Sequence, residues 1–136
     1  MNAKLDEELC RKYPNLFADR YTSMDKTAMC WGFECGDGWY KIIDEAAAKL
    51  EPLIKAELKK DPKAQEYGFL KASQIKEKYG TLRFYLSSGT DEMYAITDKA
   101  ERQSSMICET CGKGGKLRGH GWVYTACTKH TRKEDK

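Results

Sequence analysis

Apolar residues at Ile42, Ile43, Ala46, Ala47, Leu50, Leu53, Ile54 and Leu58 recur every three or four positions, the spacing that gathers side chains on one face of an α-helix. The pattern predicts a main core helix that starts near Trp39 and ends at Lys59-Lys60, ahead of Asp61-Pro62. Pro52 lies inside it; a residue without an amide donor predicts a kink or restart near Glu51. Further on, the period changes from three or four to two. Leu82, Phe84 and Leu86 alternate with Thr81, Arg83, Tyr85 and Ser87, as in a half-buried strand, and Tyr79-Gly80 marks a turn from a preceding strand that begins near Ala72. With Ile75 on the core face, Lys76 and Lys78 share the outer face with Arg83 and Tyr85.

Two shorter helices complete the core. Leu5 to Tyr13 carries acids early and bases late, matching the helix dipole, and stops at Pro14; Ser88-Gly89-Thr90 caps a second, with Met93, Ile96 and Ala100 facing inward. Leu16 and Phe17 read as core residues and 18–28 as a loop. In Cys30-Trp31-Gly32-Phe33-Glu34-Cys35-Gly36-Asp37-Gly38-Trp39, the first half reads as extended, with Trp31 and Phe33 on one side, and Asp37 as the N-cap of the core helix. The expected fold is α+β: a small antiparallel sheet packed by two or three helices over residues 1–107.

Residues 108–130 follow another logic. Cys108-Glu109-Thr110-Cys111 and Cys127-Thr128-Lys129-His130 each offer ligands at i and i+3, separated by the 15 residues from Gly112 to Ala126. Two such knuckles brought together by a hairpin supply the four soft donors that hold zinc tetrahedrally, so Cys108, Cys111, Cys127 and His130 are expected to bind a structural zinc in a zinc-ribbon-like module. The competing reading, a disulfide or buried thiols, leaves His130 without a role. Residues 131–136 form a polar tail.

Charge refines this picture. The net charge is +3, but residues 108–136 hold seven Lys or Arg against three Asp or Glu, a local +4, and the rest of the chain sums to −1. A mildly basic module can touch phosphate, but it is weaker than the footprint of a dedicated duplex binder. No apolar run is long enough to span a bilayer and the opening residues lack a secretory pattern, so a cytoplasmic location without membrane contact is expected, where the six cysteines stay reduced.

Catalysis has little support. Cys35 precedes a predicted helix start but has no histidine near it in sequence, and Glu34, Asp37 and Asp44 are explained by capping and solvation. Cys10, Cys30 and Cys35 read as small buried hydrophobes. A binding surface is better founded: Lys76, Lys78 and Arg83 can neutralise phosphate, while Tyr85, with Trp31 or Trp39, can stack on a base. The bland alternatives are a solvated strand face and tryptophans packed in the core.

Cys30 to Trp39, Lys76-Glu77-Lys78-Tyr79-Gly80-Thr81-Leu82-Arg83-Phe84-Tyr85, Cys108 to Gly112, and Gly121-Trp122 through Cys127 and His130 together resemble a family of small, functionally unassigned proteins of tailed phages and prophages. The resemblance implies an accessory protein acting in the bacterial cytoplasm, where such proteins often neutralise host defence. The expected function is non-enzymatic sequestration of an anionic nucleotide-type signal. Alternatives are a nucleic-acid-binding zinc protein or an inhibitor docking on a host protein; a homo-oligomer is compatible with any of these.

Overall fold

The computed structural model describes residues 1–136 as three α-helices, a three-stranded sheet and a separate two-stranded hairpin. Helix α1 (Ala3–Lys12) is capped by the Asn2 side chain, and α2 (Tyr40–Lys60) buries Ile42, Ile43, Ala46, Ala47, Leu50 and Ile54. Of the expected kink or restart near Glu51, the restart does not occur: α2 runs through Pro52 as one element. No helix is long and apolar enough to cross a membrane.

The sheet is built on the antiparallel hairpin of β2 (Ala72–Lys78) and β3 (Thr81–Leu86). Lys78 pairs with Thr81, so Tyr79 and Gly80 alone form the turn, with φ of 54° and 84°. Positive φ at both positions is the type I′ geometry, which suits the twist of the flanking strands but favours Asn or Gly; a tyrosine there costs on the order of 1 kcal/mol. Strand β1 (Phe33–Glu34) joins β2 in parallel, making the sheet mixed. Ile75, Leu82 and Phe84 point into the core, where Phe17 packs edge-on to Phe33 with ring centroids 4.9 Å apart.

Helix α3 (Asp91–Ser104), capped by Thr90, closes the open edge of β3. The outward amides of Leu82 and Phe84 donate to Ser104 Oγ (2.9 Å) and Glu101 Oε2 (3.2 Å), satisfying groups that otherwise invite another strand. Two carboxylates fix the loops. Asp6 accepts a fork from Arg20, whose Nη1 also donates to the Cys30 carbonyl. Glu51, 4% exposed on α2, accepts from Asn15 N, Asn15 Nδ2 and Leu16 N at 2.8, 3.0 and 2.9 Å.

Because Glu51→Leu strands these donors in a dry site, it is expected to destabilise the protein by about 2–3 kcal/mol in urea unfolding, whereas Lys55→Ala on the exposed face should change stability by less than about 0.5 kcal/mol.

Candidate metal centre and ligand face

The first knuckle begins directly after α3. Cys108 N donates to Lys113 O (2.7 Å) and Gly112 N to Cys108 O (2.9 Å), a tight reversal around the first two thiols. The second knuckle follows a hairpin of β4 (Lys116–Arg118) and β5 (Tyr124–Ala126). One donor atom each from Cys108, Cys111, Cys127 and His130 then lies within 4.8 Å of all the others. Cys111 Sγ stands 3.7 Å from Cys127 Sγ, and His130 Nδ1 stands 3.7 Å from Cys108 Sγ and 3.2 Å from Cys127 Sγ. The Sγ–Sγ separation of 3.7 Å is near the edge of about 3.8 Å of a tetrahedron with metal–sulfur bonds of about 2.3 Å and is too long for a disulfide at about 2.05 Å, and the two sulfur–nitrogen separations bracket the edge of about 3.5 Å that such a site would have. Although burial opposes charge on Cys108, the amides of Cys127, Cys111 and Thr110 point at its sulfur and pull the thiol down to about 6, favouring the thiolate that binds metal. Four protein donors can hold a structural ion and leave no position for a reacting water.

The glycine-rich stretch serves this module. Gly36 N donates to Glu109 Oε2 (2.9 Å), Gly38 N to Glu109 O (2.7 Å), and Trp39 Nε1 to Ile107 O (2.8 Å). A Cβ on Gly38 would stand 2.1 Å from Cys108 O, and one on Gly36 would stand 2.4 Å from Glu109 O, so the backbones meet where only glycine fits. On the far side, buried Thr125 Oγ1 donates to Gly80 O at 2.6 Å. The knuckles are therefore clamped between the 36–39 turn and the tip of the β2–β3 hairpin.

Several sequence expectations change here. Trp39 is fully buried and its indole N–H is taken, so it has no face for a base. Trp31 is 61% exposed at the end of a 3-10 turn (Ala28–Trp31) while Phe33 is buried; that turn breaks the alternation, and the two rings do not share a side. Asp37 is not the cap of α2: its carboxylate accepts from Asn2 N (2.7 Å) and Asn2 Nδ2 (3.0 Å), which hold its pKa below the usual carboxylate range. Cys35 is buried and its thiol is pushed up to about 12, unlike an activated nucleophile.

Comparison with known proteins yields no matching family model, no similar curated protein and no similar solved structure.

On the outer strand face, Lys76 pairs with Arg83 and Gln74 with Tyr85. Lys78 is exposed at the turn, and Tyr85 is 41% exposed. Arg83 Nε is buried without a hydrogen-bond partner. Its side chain lines a shallow cleft with Thr81, Asp98, Glu101, Arg102 and Ser105. Burial raises the Glu101 pKa, opposed by the Phe84 amide and by Arg83. Tyr85 borders a larger cleft of about 590 Å³, shared with Tyr67, Lys26, Lys71 and Gln74, in which Lys71 is paired with Asp19 at 2.9 Å. Sequence reasoning missed this cleft, because its walls come from three separated segments.

Chelation is expected to expose the Trp39 socket. Trp31 and Trp122 are already exposed, so the red shift of tryptophan emission on metal removal should come from Trp39 and vanish in Trp39→Phe. Cys111→Ser should lower metal affinity at least about tenfold, read by competition with a colorimetric chelator.

Proposed function

We propose that this chain is a non-enzymatic binding protein whose ion is zinc and whose ligand is an anionic nucleotide-type molecule lying across the outer face of β2 and β3. Three thiolates and one imidazole at tetrahedral spacing are the donor set zinc prefers. Its role is to complete the fold.

The observation that carries the ligand reading is the unpartnered, buried Nε of Arg83, two residues from Tyr85 on β3 and directly opposite Lys76 in the strand register. A buried donor without an acceptor calls for one, and a phosphate oxygen supplies it with charge assistance. Lys76 and Lys78 add charge on the same face, and Tyr85 offers a ring to the base beside a cleft in the size range of small-ligand sites. Tyr67 is the second ring at that cleft, which neither Trp31 nor Trp39 lines, and takes the role first expected of one of them. The resemblance to phage accessory proteins supplies the setting: sequestration of a nucleotide signal in an infected bacterial cell, in opposition to host defence.

Titration calorimetry against a panel of mononucleotides and cyclic nucleotides tests this. Arg83→Ala is expected to weaken the best ligand about tenfold or more, and Tyr85→Ala about fivefold or more, with circular dichroism unchanged. Equal affinity in the folded variants, or no binding anywhere in the panel, rejects the proposal.

A further inference from the structure

A second aromatic site lies where the hairpin tip meets the metal module. Tyr79 and Trp122 are 71% and 72% exposed, and together with Glu77, Lys78, Gly121 and Val123 they line a cleft of about 270 Å³. This volume is below that of sites for whole drug-sized ligands and suits one planar group. The turn and the metal module meet closely beside the cleft. On one side is the two-residue turn; on the other, Thr125 bonds Gly80 O, and Leu117 Cδ1 lies where a Gly80 Cβ would stand, 2.4 Å away.

Tyr79 is the unusual residue. It occupies a positive-φ turn position that Asn or Gly fills without strain, and its ring is not buried in compensation. Strain retained at an exposed aromatic points to use of the ring. The surroundings indicate the partner. Lys78 Nζ lies 5.6 Å from the Tyr79 ring centroid, Glu77 in the same cleft accepts from Gly80 N at 2.7 Å, and residues 108–136 carry a local +4 that stays positive when three thiolates hold a divalent ion. Two of the three acids in residues 108–136 are also engaged: Glu109 with Gly36, and Asp135 with the Tyr124 hydroxyl at 2.6 Å.

We propose that the Tyr79–Trp122 cleft takes an unpaired base of a single-stranded nucleic acid, with the flanking phosphates against Lys78 and the basic module. Stacking serves any base, so the site is tolerant of sequence; a duplex, whose bases are already stacked, is excluded. This site shares Lys78 with the ligand proposed for the Arg83 face but uses different rings.

The test is fluorescence anisotropy of the metal-loaded protein with a labelled, unstructured oligodeoxythymidine, the matching duplex and an acidic peptide of equal charge. The single strand is expected to bind best, with affinity falling as salt rises. Trp122→Ala should weaken it at least about fivefold and Trp122→Phe much less. Tyr79→Asn gives the sharpest separation: it should weaken binding at least about fivefold while leaving the melting temperature equal or higher, because Asn relieves the turn. No binding by the folded protein, equal binding of the duplex, preference for the acidic peptide, or full affinity in both Trp122→Ala and Tyr79→Asn overturns the proposal. So does loss of affinity in Arg83→Ala but not in Trp122→Ala, since binding would then belong to the other face.

Discussion

The rest of the structure depends on the close approach of two backbones, Gly36 to Trp39 and Ile107 to Glu109. Three hydrogen bonds join them, and the absence of side chains at Gly36 and Gly38 permits the distance. The metal ligands fix the shape of one partner, and α2 leads straight out of the other. A local thiol and imidazole cluster is thereby tied to the hydrophobic core through the indole of Trp39, whose ring is buried while its N–H reaches the module. Burial of an indole without an acceptor is costly, so core and knuckle each complete the other.

This arrangement also divides the surface. The glycine-rich motif invites a reading as a ligand loop, but the amides of Gly36 and Gly38, which an anion would need, are spent on Glu109 of the knuckle. Trp31 is the exposed ring of that motif, and exposed aromatic groups stand beside cationic ones on the outer strand face and at the hairpin tip. In the hairpin, one alternating sequence serves both purposes: Ile75, Leu82 and Phe84 fill the core while Lys76, Arg83 and Tyr85 stay on the opposite face.

What the sequence revealed was local. Period-two alternation around Tyr79-Gly80 defined the hairpin, spacing of three and four defined α2, and paired i, i+3 ligands defined the metal cluster. What it hid was non-local or too short to carry a period. Strand β1 has two residues and exists through its pairing with β2 some forty positions away. The different fates of Trp31 and Trp39 turn on short 3-10 segments that interrupt alternation, and the partner of Asp37 is Asn2, at the other end of α1. Gly36 and Gly38 look like punctuation until Glu109, more than seventy residues later, is set against them.

That separation affects how the protein is made. The contact between Gly36 and Glu109 spans 73 positions, so the 36–39 socket leaves the ribosome long before the segment that covers it. During that interval the Trp39 indole has no acceptor and the amides of Gly36 and Gly38 face solvent. Core closure is thus tied to a late event, the release of the last segment, and to whatever ion its Cys108, Cys111, Cys127 and His130 cluster can hold. Nascent chains starved of the ion would accumulate with an open apolar socket, the kind of surface that chaperones and proteases recognise. With an ion in that cluster, cellular abundance of the protein should follow metal supply.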